Sequence, residues 1–390
     1  MKGAIYLDHA ATTRPRREVL EAMTPYLSSA FGNPSSPHDH GTRAKEALEG
    51  ARVELAHLLG CRSRELVMTS GGTEANCLAV LGAALANRDR GTHLITSRIE
   101  HSSVIRAFRH LEREGFQVSY LPVDRHGRID PERVADSLRD DTILLSIMHA
   151  NNEIGTIEPL REIGKIARSR GILFHSDAVQ AVGRLPIDMG AMGLDLLTLS
   201  AHKFHGPKGV GLLYVRGGTR ISPILFGGAQ EGGRRAGTEN VPAVVGMATA
   251  MRLCFGEREE VNARVVELRE RLERTILKEI EDAVVLGPPE GRVPHISNIL
   301  FRGVEGEAVV LDLNEMGIHV SSGSACTSGF TEPSHVLLAI GLEPEHAAGS
   351  VRFSIGPETT AEQVDRTAAG TKEIVRKLRN LFPHRDILAR

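Results

Sequence analysis

From about residue 64 the chain alternates short, β-branched apolar runs with stretches of helical character, and no other feature constrains its fold as tightly. ELVMTS (65–70), HLITS (93–97), QVSYLPV (117–123), TILLSIM (142–148), ILFHSDA (172–178), LDLLTLS (194–200) and GVGLLYV (209–215) read as strands. TEANCLAVLGAALANR, SVIRAFRHLEREG and REIGKIARSRG, lying between them, read as helices. A nearly continuous apolar run such as TILLSIM suits a strand covered on both faces. The alternation predicts an α/β fold, a mostly parallel central sheet with helices on both faces. Ligands of such sheets gather beyond the carboxyl ends of the strands.

After about residue 255 the pattern changes. REEVNARVVELRERLERTILKEI reads as a long charged amphipathic helix. Shorter elements follow, HISNILF and SVRFSIG, and then a last helix near 360–381. This stretch predicts a smaller α+β domain, in keeping with about two to three domains for 390 residues. NPSSPHDHG (33–41) is the most turn-rich loop, and the chain shows no internal repeat.

Bulk properties exclude several classes. Charged residues make up 25% with a formal net charge of -2, so neither nucleic acid nor an anionic membrane is an expected partner. With 4% aromatics and no Trp, base stacking on a single strand is unsupported. No apolar run reaches the ~18 residues of a membrane span, and the N-terminus does not read as a signal peptide. The four cysteines, Cys61, Cys77, Cys254 and Cys326, form no CxxC pair and no metal-ligand spacing. No metal is expected, and free thiols fit a cytoplasmic setting.

Several residues after the strands can carry chemistry. In TSGGTEAN (69–76) two glycines precede a helix expected to start at Thr73. Such a turn suits a phosphate, because glycine admits the anion and the helix end offers free N–H groups. A tight turn capped by Thr73 is the plainer alternative. In SAHKFHGPKG (200–209), Ser200, His202 and Lys203 leave a strand end together. A lysine there could form a Schiff base, or belong to a solvated loop. Asp177 in HSDAVQ closes another strand, with Gln180 three residues on. It could cap a helix, or partner a cationic ring nitrogen as pyridoxal phosphate enzymes require. His101 in EHSSV, and Asn151 and Asn152 in HANNEIG, fall at the same rim. His101 could stack on a planar cofactor, move protons near neutral pH or be an ordinary loop histidine. Arg352 sits within the apolar run SVRFSIG, where a guanidinium needs a partner. A substrate carboxylate or a structural ion pair would serve. Cys326 lies in SSGSACTSG among residues too small to pack a core.

These stretches, with IYLDHAATT, FGNPSS and RRAGTEN, run collinearly through most of the chain, and together the sequence resembles a cysteine desulfurase. That is a branch of the class V aminotransferases among fold-type I pyridoxal phosphate enzymes. The resemblance implies pyridoxal 5'-phosphate held on Lys203, with Asp177 at the pyridine nitrogen and His101 stacked on the ring. It implies Gln180 at the phenolic oxygen, and Gly72, Thr73, Ser200 and His202 at the phosphate. Thr238 of RAGTEN would reach the phosphate of a neighbouring subunit, hence a homodimer. Asn152 and Arg352 would hold the carboxylate of L-cysteine, with Asn152 also beside the cofactor. Cys326 would take the sulfur as a persulfide and leave alanine. Lys203 is then the natural base, with His101 a further candidate for proton transfer.

The same resemblance implies a large domain over 15–255 and a small one from 1–14 and 256–390 that carries the cysteine loop, 321–332. The serine-rich SSGSAC resembles the long-loop desulfurases, which pass persulfide directly to a scaffold protein. An iron–sulfur scaffold or another sulfur acceptor is therefore the expected partner. Ala229 and Gly232 depart from the family pattern, which has glycine and arginine there, and the ending LFPHRDILAR does not match its tail. Competing readings are a selenocysteine lyase, a class V aminotransferase, or a non-catalytic sulfur or iron–sulfur scaffold.

Overall fold

A computed structural model describes residues 3–322 and 333–381. Seven strands form the central sheet in the order Leu66–Thr69, Gly211–Val215, Leu196–Ser200, Leu173–Asp177, Thr142–Ser146, His93–Ser97, Gln117–Leu121. All neighbours are parallel except Gly211–Val215, which runs antiparallel to both strands beside it. Each predicted strand is present.

The two-residue period of the strands divides their side chains between two cores. Leu94, Leu144, Leu196 and Leu213 join one, under the helices Gly72–Ala86 and Ser102–Arg113. Ile95, Leu145, Leu197 and Leu212 join the other, under Asp39–Leu59, Leu160–Ser169 and Val241–Gly256. Both faces are thus covered, which explains why the strands read as unbroken apolar runs. Gly72–Ala86 is rich in alanine, so it lies close against five strands of the sheet.

A second sheet of four antiparallel strands has the order Ser321–Ser322, Ser350–Ser354, Ile296–Phe301, Ala283–Leu286. Its core takes Ile299, Phe301, Val351 and Phe353 together with apolar faces of Arg258–Glu279, Gly306–Glu315 and Ala361–Leu381. Ile5 and Leu7 from the N-terminal segment pack in that same core. Ile5–Tyr6 pairs in parallel with Ile318–His319, and Asp8 bridges to Ser354. The segment then continues from the second sheet toward the carboxyl edge of the first, where it meets Lys203.

Three local readings are refined. The first helical residue of TSGGTEAN is Gly72, with Gly71 at the cap, so Thr73 does not cap the helix. Asp177 begins a turn rather than a helix, and its Oδ1 accepts from the Val179 N–H. The helix Asp39–Leu59 begins inside the turn-rich NPSSPHDHG, where the His38 ring accepts from the Gly41 N–H.

Candidate active site

Lys203, Asp177 and His101 follow three different strands of the central sheet and meet at its carboxyl edge. Burial lowers the His101 pKa, and the charges of Asp177 and Lys203 both act on it, the first raising and the second lowering. Asp177 is 4% exposed. Its Oδ2 accepts from Asn76 Nδ2 at 2.7 Å, and the same Asn76 nitrogen donates to Ser103 Oγ at 2.9 Å. Ser103 Oγ lies 2.8 Å from His101 Nδ1, which also accepts from the Ser103 N–H. Because Nδ1 is the acceptor, this network assigns the proton of neutral His101 to Nε2. The chain Asp177–Asn76–Ser103–His101 thus fixes the carboxylate and the imidazole tautomer together. Sequence reading passed over Asn76 and Ser103, although Asn76 stands within TSGGTEAN, three residues after Thr73 on the same helix.

Lys203 is half-buried, and its Nζ donates to the carbonyls of Ala10 and Ala11 at 2.7 and 2.8 Å. Gln180 Nε2 donates to the same Ala10 carbonyl, and Gln180 Oε1 accepts from His295 Nε2. LDHAATT therefore lies directly against the lysine. His202 is held by Thr12 Oγ1 at 3.1 Å, and burial, with Lys203 and Lys208 nearby, brings its pKa down to about 4.

The GG turn has the form of an anion cradle. Gly71 has φ 157°, a conformation that side chains rarely adopt. A Cβ on Gly72 would come within 3.0 Å of Val179 Cγ2 and 3.3 Å of Ser200 Cβ. The 15-residue helix that starts there points its free N–H groups outward beside Thr73 and buried Ser200.

Arg352 is 3% exposed and faces the same crevice from the second sheet. It donates to the Asn152 carbonyl at 2.9 Å and pairs with Asp8 at 3.0 Å, while its Nε is buried without a partner. The structural ion pair expected as an alternative is therefore present, and one donor of the fork stays open. Asn152 is half-exposed; Asn151 is a structural residue that bonds the Ile99 carbonyl and the Glu153 and Ile154 N–H groups.

Thr238 is exposed, and no hydrogen bond among the described residues joins it to the Lys203 cluster. Cys326 lies outside the described residues. The described cysteines are weak nucleophiles: burial pushes the Cys61 and Cys254 thiols up to about 12 and 11, and raises Cys77. No group of three or more potential metal ligands is found among the described residues, and no helix there is long and apolar enough to cross a membrane.

A cradle for an anionic group, a buried carboxylate, a neutral imidazole and a lysine amine fit a phosphorylated cationic ring carried on the lysine. The comparisons with known proteins agree. Residues 5–367 match the aminotransferase class-V family. A cysteine desulfurase IscS from Dictyoglomus turgidum is 49% identical, over 99% of this chain and 98% of its own. One from Methanosarcina thermophila is 50% identical, over 97% and 94%. A solved NifS-like protein superposes with a TM-score of 0.91 at 36% identity, covering 96% of this chain and all of its own. A NifS-like protein from Rickettsia africae gives 0.86 at 32% identity, with 96% and 99% covered. The chain belongs to the class-V aminotransferase family, and within it to the cysteine desulfurases.

Proposed function

We propose that the protein is a pyridoxal 5'-phosphate-dependent cysteine desulfurase that moves the sulfur of L-cysteine onto Cys326 and releases L-alanine. The observation that carries this reading is the convergence of Lys203, Asp177 and His101 at one sheet edge, with Asp177 and His101 joined through Asn76 and Ser103.

Gly72, Thr73, Ser200 and His202 would hold the cofactor phosphate, Gln180 the phenolic oxygen and Asp177 the protonated pyridine nitrogen. When bound, the cofactor supplies an electron sink for charge developed at the substrate Cα. Lys203 takes up and returns protons at that carbon. The Arg352 fork, with Asn152, would receive the substrate carboxylate. The sulfur transfer breaks the substrate Cβ–S bond and forms an S–S bond to Cys326 Sγ. Cysteine and the Cys326 thiol thus give alanine and the Cys326 persulfide, with no external oxidant or reductant. Neutral His101, carrying its proton on Nε2, would mediate proton exchange for the sulfur groups.

The resemblance of SSGSAC to the long-loop desulfurases favours an iron–sulfur assembly scaffold, or a similar sulfur-acceptor protein, as the recipient. The dimer would place Thr238 in the neighbouring site. The reduced thiols Cys61, Cys77 and Cys254 fit the cytoplasm.

Replacing Cys326 by Ala tests the assignment. The variant should keep the visible absorption of the bound cofactor but lose sulfide release with reductant present, by about 100-fold or more. Unchanged sulfide release would point instead to a reaction that needs no thiol carrier.

A further inference from the structure

Behind the Lys203 turn lies a pocket of about 40 Å³, bordered by Arg16, Arg184, Glu257, His9, His205 and His295. A single water requires about 10–15 Å³ of such space, so the pocket has room for one monatomic ion or a few waters. Its charges do not balance. Arg16 and Glu257 neutralise each other through two contacts of 2.7 Å. Arg184 has no such partner: its guanidinium donates to the Lys203 carbonyl at 3.0 Å and, weakly, to that of Val182 at 3.5 Å. Among the described residues no carboxylate pairs with it, and Glu257 is the only acid bordering the pocket.

The neighbouring groups do not supply the missing charge. Burial and nearby cations lower His9 to about 3, His205 to about 4 and His295 well below its usual value, so all three are neutral near pH 7. Cys254, raised to about 11, is a protonated thiol whose Sγ donates to the Phe204 carbonyl. Arg184 is itself pushed down to about 10 by burial, which leaves it a cation at neutral pH with its charge uncompensated. Arg184 keeps some exposure, yet where it borders this confined pocket a cation without a carboxylate partner gains from a counter-ion.

We infer that this pocket binds a small monovalent anion of halide size, held by the free N–H groups of Arg184. The remaining wall includes Val182, Val265 and Ile355, which offer no donors to the several oxygens of a sulfate or phosphate. One guanidinium against a spherical ion matches what the pocket provides. Because Arg184 also donates to the Lys203 carbonyl, and its own carbonyl accepts from Asn262 Nδ2, an ion there would steady the turn that presents the lysine.

The test uses the cofactor-loaded enzyme. Crystals soaked in bromide should show an anomalous peak in the pocket beside Arg184. In solution, chloride replacing gluconate at constant ionic strength should raise Tm by about 2 °C at tenfold saturation, and sulfate should not. In Arg184→Gln the peak and the chloride response should both disappear. Absence of the wild-type peak, or an equal chloride response in Arg184→Gln, would overturn the assignment. If that variant does not fold, the wild-type bromide map alone decides.

Discussion

At the scale of single residues, the site depends on polar groups whose partners are distant in the chain. Lys203 and Asp177 are legible because they stand, respectively, just beyond and at the ends of strands of a mostly parallel sheet, where ligands are expected. Asn76 and Ser103 are not, since a polar residue within the first turns of a helix has many ordinary explanations. The pairing of Arg352 with Asp8 joins residues 344 positions apart, and no local pattern encodes it. The guanidinium has both the internal ion pair and an open buried Nε. Arg352→Lys keeps the charge but loses the planar fork, so the KM for cysteine should rise roughly tenfold or more, with a smaller fall in kcat. Steady-state kinetics of alanine formation measures both; an unchanged KM would restrict Arg352 to the ion pair.

At the scale of elements, the strand positions were legible but one direction was not. Apolar runs identify Gly211–Val215 as a strand, whereas its antiparallel course depends on a short return from Leu196–Ser200 that hydrophobicity does not report. The helix Asp39–Leu59 escaped notice because its start lies in a stretch dominated by Pro, Ser and His. The central strands also bury polar groups that affect stability. His175 spans two neighbouring strands, with Nδ1 at 2.8 Å from Ser146 Oγ and Nε2 at 3.1 Å from Thr198 Oγ1. Burial lowers its pKa to about 3, from 6.5 for a free imidazole. Between those values the unfolded chain binds a proton that the folded chain does not, so this group costs stability as the pH falls below 6.5. His175→Gln removes the titration, and should flatten the slope of stability against pH by up to about 1.4 kcal/mol per unit over pH 4–6.5. Urea unfolding at several pH values reads this directly; parallel profiles for variant and wild type would exclude the role.

At the scale of the whole molecule, the crevice is built from both sheets: lysine, carboxylate and imidazole come from the seven-stranded sheet, Arg352 and LDHAATT from the side of the four-stranded one. The change of pattern near residue 255 precedes the elements of the second sheet and its core. That the N-terminal segment packs in the second core was implied by the family resemblance and not by any periodicity, since Ile5 and Leu7 form only a two-residue strand and its neighbour. The exposed Thr238 carries the proposed dependence of one subunit on another. Lys203→Ala and Thr238→Ala, each inactive alone, should regain activity when mixed under subunit exchange, because each mixed dimer holds one intact site. Random pairing should restore about a quarter of the wild-type rate. No recovery, in a mixture shown to exchange subunits, would place Thr238 in its own subunit's chemistry or outside the site.

The central claim is that Cys326 carries the sulfur, and the most direct measurement is mass spectrometry of the cofactor-loaded enzyme after a brief incubation with L-cysteine and no reductant. The account predicts a gain of one sulfur atom on the peptide containing Cys326, removed by dithiothreitol and matched by alanine in equal amount. Alanine formed with no added sulfur on that peptide, or with the sulfur on Cys61, Cys77 or Cys254 instead, would contradict it.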